Sequence, residues 1–156
     1  PGVLQRAHAH QGASFVEIYT NCIVYNDAVF SSFAEKATAA EGTLVLENGL
    51  PMMFGKDNDK GIRMKPGALK LEVVQLGFDG ISESDLLVHD ETDHVMAGML
   101  AGMHNPDFPV AVGVLYCEPA QAYDAAVHEQ INAAVASNGQ SDMNSLLRSG
   151  STWNVA

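Results

Sequence analysis

Apolar and polar positions change rhythm several times along the chain, and each change marks an element. Val3 to Gln11 carries a helical pattern that reads as the end of a helix, with Gly12 as its stop. Ser14 to Tyr19 is rich in β-branched and aromatic residues and predicts a strand ending at Asn21-Cys22. Asp27 suits the cap of a helix from about Ala28 to Ala40, closed by Gly42. Short strands then follow one another: Thr43 to Leu46, Pro51 to Phe54, Gly61 to Met64 and Leu69 to Leu76. Asn48-Gly49, Asn58 to Gly61 and Pro66-Gly67 supply the turns between them.

Beyond the strand-rich stretch the pattern alternates again. Leu86 to His89 is a short strand, and a helix runs from about Asp93 to Met103 until Asn105-Pro106 breaks it. Pro109 to Tyr116 is a run of aliphatic residues, expected to be a strand buried on both faces. Ala120 to Ala136 is an alanine-rich helix with Ala122, Ala126, Ile131 and Val135 as its apolar stripe. The tail holds Leu146-Leu147 and Trp153. The order is α-β-α, a run of strands, then β-α-β-α, which predicts an α/β fold with a β-rich insertion.

Composition narrows the class. In 156 residues, hydrophobic positions make up 47%, so the chain is no disordered acidic tail. Charged residues are 17%, below the roughly 25% of an average domain, which points to a large core or to surface hidden against partners. The net charge of −11 speaks against nucleic acid, whose recognition needs a basic footprint. No apolar run has the length of a membrane span. The charge is uneven: Lys56, Lys60, Arg63, Lys65 and Lys70 cluster in the strand-rich stretch, whereas residues 71–147 hold no Lys or Arg and twelve Asp or Glu. Two cysteines, Cys22 and Cys117, indicate no disulfide framework and suit a reducing, cytoplasmic setting. The chain starts at Pro1 without a signal-peptide pattern and is expected to be a piece of a longer one.

The candidate chemistry is sparse. Cys22 lies at the carboxyl end of the first predicted strand, where α/β sheets place ligand-binding loops, although a single cysteine in an apolar context reads first as a small core residue. Cys117 follows a buried strand and has no partner at metal-ligand spacing. His89-Asp-Glu-Thr-Asp-His94 is dense in metal-ligating types, but positions five apart do not share a helical face, and its carboxylates also suit a helix N-terminus. His128-Glu129 opens like a zinc-protease helix, yet Asn132 stands where the second histidine belongs. No phosphate loop, nucleophile elbow or EF-hand string is present, so spacing assigns no catalytic residue.

The stretch from His10 to Asp27, HQGASFVEIYTNCIVYND, carries a resemblance. Gly12, Ser14, Phe15, Glu17, Cys22, Tyr25 and Asn26 resemble the corresponding motif of the β subunit of 2-oxoacid:ferredoxin oxidoreductases. Leu86 to Asp90, Pro109 to Val114 and Ser149 to Trp153 agree with it, and the EIYTNC string is most similar to the 2-oxoglutarate-specific branch. The resemblance implies the C-terminal half of a subunit of a heteromeric enzyme. Residues 1–42 would end an open-sheet domain that binds thiamine diphosphate. Residues 43–156 would be the C-terminal region, with β-hairpins at 43–78, a β-α-β-α run at 86–138 and a tail.

The implied activity is oxidative decarboxylation of a 2-oxoacid to an acyl-CoA. Electrons would pass through a [4Fe–4S] cluster to ferredoxin, with thiamine diphosphate and Mg²⁺ as cofactors and an α subunit as partner. Cys22 matches the last of four cluster cysteines; the other three, and the motifs that hold Mg²⁺ and the diphosphate, lie upstream in that family. A four-thiolate cluster cannot be built from two cysteines, so this chain alone is expected to bind no cofactor and to be inactive. It is also expected to self-associate through the exposed 14–19 strand. The competing reading is a non-catalytic module for subunit interaction.

Overall fold

The structure is a computed structural model describing residues 2–139, 142–153 and 155. It is mixed α/β, with a two-stranded parallel sheet and a three-stranded antiparallel sheet. The elements are α1 (Gly2–Ala9), α2 (Ser31–Ala34), α3 (Ala39–Gly42), β1 (Thr43–Leu46), β2 (Met53–Phe54), β3 (Lys60–Met64), β4 (Leu71–Gln75), α4 (His94–Ala101), β5 (Val110–Gly113), α5 (Tyr123–Asn138) and α6 (Met143–Leu147). They form two compact units, one made mainly of residues 15–118, the other of 9–14 with the chain from Pro119 onward.

The first unit holds the core. In β1, Leu44 and Leu46 point inward while Val45 faces out, the period of two that a half-buried strand requires. Leu44 and Ile62 are fully buried and pack with Met52, Phe54, Leu100 and Met103. β1 pairs in parallel with β5, from Thr43–Val110 to Leu46–Gly113. The sequence expects the 109–116 run to be covered on both faces; β5 is only half-buried along its length, because β1 is its one strand partner among the described residues. The antiparallel sheet runs β2-β3-β4, and its longer hairpin closes over Pro66-Gly67, where Gly67 takes φ 74°. The segment at 86–89 bridges to this sheet: Met52 donates to the Leu87 carbonyl, and Leu87 in turn donates to that of Ile62.

Two predicted elements differ. Residues 14–19 form no strand; the segment is irregular, with Phe15 at 91% exposure and Ile18 and Tyr19 also exposed. A β-branched and aromatic run favours extended backbone, but a strand exists only where a neighbour takes its hydrogen bonds, and none among the described residues does. The helix expected over 28–40 is two short pieces, α2 and α3, interrupted at Glu35, which takes an extended conformation.

The second unit is α5 and α6 with their flanks. α5 has the expected position, but Ile131 and Val135 remain about half exposed and none of its described residues is buried. Asp142 caps α6, accepting from the backbone of Asn144 and Ser145. No helix of the described residues is long and apolar enough to cross a membrane.

Candidate functional site

The residues around Cys22 are tied to the core by a short series of contacts. Gly42, buried at the end of α3, lies so close to the 32–33 backbone that a Cβ there would stand 2.7 Å from the Ser32 carbonyl oxygen. The Thr43 hydroxyl donates to the Phe33 carbonyl at 2.8 Å. The Phe33 ring meets Tyr19 and Phe30, with centroids 5.5 and 5.6 Å away, and Tyr19 meets Phe30 at 5.2 Å. Three rings in edge-on and tilted contact therefore fix both ends of the loop that carries Cys22.

The loop itself is a tight turn. Asn26 donates its backbone N–H to the Cys22 carbonyl at 3.0 Å, and the two residues form an isolated β-bridge. Asn21 donates from its side-chain amide to the Asp27 carboxylate at 2.8 Å, and both side chains accept from the Ala28 backbone N–H. These bonds hold Ala28 at φ 56°, a left-handed conformation that costs an alanine about 1–2 kcal/mol. The side chain of Cys22 is exposed, so it is not the small core residue that spacing alone suggests.

The backbone N–H groups of the turn, first that of Tyr25, then those of Val24 and Asn26, lower the pKa of the Cys22 thiol below the usual cysteine value. A thiolate held by backbone donors is the form that ligates iron. Cys22 offers one exposed thiol of lowered pKa. It supplies only one: among the described residues no three His, Cys, Asp or Glu side chains gather as a metal site.

The other candidates fall elsewhere. Cys117 is half-buried, its backbone N–H donating to the Glu91 carbonyl at 2.7 Å. Its side chain lies beside the Arg6 guanidinium, which makes a two-point ion pair with Glu91 at 2.6 and 2.8 Å. The His89–His94 string is pulled apart. His89 is 2% exposed and donates from Nε2 to the Val114 carbonyl at 2.8 Å, whereas His94 opens α4 on the exposed side. The two aspartates between them serve the backbone. Asp93 caps α4 by accepting from Val95 and Met96, and Asp90 accepts from the Thr92 backbone and hydroxyl. His128 and Glu129 stand exposed on α5.

A cavity of about 320 Å³ went unnoticed in the sequence. Phe54, Val73, Val74, Phe108 and Pro109 give it apolar walls, and the Lys60–Glu41 ion pair, Gln75, Asn105 and Asp107 line the rest. Its parts come from five separated segments, so no local pattern announces it.

The chain is 31% identical over 158 aligned residues to the 2-oxoglutarate oxidoreductase subunit KorB of Mycobacterium tuberculosis. The match covers 98% of this chain and 41% of the relative, so the chain spans about two fifths of that protein's length. The resemblance carried by the Cys22 segment therefore extends almost from end to end. No protein-family model matches the chain, and no solved structure matches it.

Proposed function

We propose that this chain is part of the β subunit of a 2-oxoacid:ferredoxin oxidoreductase that acts on 2-oxoglutarate. The observation that carries the reading is the identity to KorB along 98% of the chain. The subunit would work in the cytoplasm with an α subunit, converting a 2-oxoacid and coenzyme A to an acyl-CoA and carbon dioxide. Thiamine diphosphate with Mg²⁺, when bound, supplies the carbanion chemistry of decarboxylation, and a [4Fe–4S] cluster supplies single-electron transfer to ferredoxin.

Cys22 is the contribution of this chain to that machinery. Its sulfur would be one cluster ligand, with the other three thiolates supplied by residues outside the chain. The N–H donors of Val24, Tyr25 and Asn26 lower the cost of negative charge on the sulfur. The ring contacts of Tyr19, Phe30 and Phe33 hold this loop in place.

The test uses the full-length subunit assembled with its partner. Cys22→Ser is expected to lose most of the iron and the visible absorbance of the cluster, and to abolish 2-oxoglutarate-dependent reduction of ferredoxin. Full iron content and full ferredoxin reduction in that variant would overturn the role of Cys22. A native complex that reduces ferredoxin with no 2-oxoacid tried would overturn the enzyme assignment itself.

A further inference from the structure

β4 ends the antiparallel sheet, and its register with β3 shows which of its backbone groups are spent. The Lys65 N–H bonds to the Lys70 carbonyl, and the Leu76 N–H bonds to that of Asp59. Between these two rungs the hydrogen-bonded pairs of the ladder are Arg63–Glu72 and Gly61–Val74. The alternate residues Leu71, Val73 and Gln75 therefore turn their N–H and C=O groups away from β3. Among the described residues no strand lies on that side. Such an edge is a template for another chain.

The cavity opens at this edge, since Val73, Val74 and Gln75 line it. Its charged groups are unequal. Lys60 is bound to Glu41 at 2.6 Å, and Gln75 is bound to Asp59, but the exposed Asp107 carboxylate makes no hydrogen bond or ion pair among the described residues. One uncompensated carboxylate faces a space with Phe54 and Phe108 in its walls. That combination suits a cation on an apolar stem, the chemistry of a lysine or arginine side chain.

We propose that the free edge of β4 takes up an extended segment of a partner protein, pairing with Leu71, Val73 and Gln75 and placing a basic side chain of that segment in the cavity against Asp107. Backbone pairing gives the affinity, and the cavity selects the side chain. This inference does not depend on the enzyme assignment.

The probe is a seven-residue peptide of alternating threonine and valine with one central arginine, compared with the same peptide carrying glutamate there. On the full-length protein, the arginine peptide is expected to slow amide exchange at Leu71, Val73 and Gln75 about tenfold while leaving Glu72 and Val74 unchanged. It should bind about fivefold more tightly than the glutamate peptide, and Asp107→Asn should erase most of that difference. Val73→Pro removes an outward N–H that β3 does not use, so it should abolish binding with the sheet intact. Unchanged exchange at the three residues, or equal affinity for the two peptides, would overturn the proposal.

Discussion

Glu91 shows how one carboxylate serves a long-range contact. Its side chain is 13% exposed and accepts two bonds from Arg6, 85 positions away in the sequence. The guanidinium bonds hold the Glu91 carboxyl below the ordinary glutamate value, chiefly through the hydrogen bonds and secondarily through charge. A lowered folded pKa means that the contribution is complete above the unfolded value of about 4.3 and is lost as pH falls through the folded value. Arg6 is about half exposed, so solvent screening limits the pair to about 1 kcal/mol or less. Arg6→Ala should therefore lower the urea midpoint at pH 7, and the difference should shrink steadily as pH falls below about 4. A gap between native and variant that does not shrink as the pH is lowered from 7 toward the acid limit of folding would count against the pair. No local pattern announced this contact, because its partners share no element. Cys22, by contrast, stands out only through resemblance, which is what proposes it as a ligand; its exposed turn depends on the Asn21–Asp27 contact and three rings brought together by folding.

Elements held up best where their pattern was strict and their partner was near. β1 matches its expected bounds, and the β3–β4 hairpin and α4 fall within a few residues of theirs, since alternation, the Pro-Gly turn and the Asp93 cap are all local signals. The 14–19 run failed for the opposite reason: its composition was right but its pairing partner was absent from the described residues. Gly61 illustrates what packing adds to a strand. It sits buried in β3 against the Leu86 side chain, where a Cβ would collide with both Leu86 methyl carbons. Gly61→Ala should thus destabilise the protein by about 1–3 kcal/mol, despite the better strand propensity of alanine. Thermal unfolding measures it, and an unchanged or raised midpoint would show that Leu86 moves aside freely.

Across the molecule, the basic cluster read from the sequence is divided by the structure. Lys60 pairs with Glu41 and Arg63 with Glu72, and alternation along β3 sends the two side chains to opposite faces. The five cations therefore do not form one face. Lys65 and Lys70 remain exposed beside the β3–β4 turn. If acidic ferredoxin docks on this hairpin, as the proposed function invites, these two lysines steer it. The double variant Lys65→Glu, Lys70→Glu in the assembled enzyme should slow ferredoxin reduction several-fold at low salt, and leave an uncharged artificial acceptor nearly unaffected. Added salt should close the difference, since charges are screened over about 10 Å at 0.1 M. Equal loss with both acceptors would locate docking elsewhere.

The parallel pairing of β1 with β5 also sets a timetable for biosynthesis. Thr43–Leu46 leaves the ribosome long before Val110–Gly113, its strand partner. At about 5–20 residues per second, β1 waits on the order of three to thirteen seconds for that partner. The β3–β4 hairpin needs only its own turn and is complete well before then. Through that interval Leu44 and Leu46, which end in the core, can lie against Met52, Phe54 and the early hairpin but lack the strand that completes their sheet. The nascent chain is thus most open to misassociation in the stretch of translation that ends at Gly113.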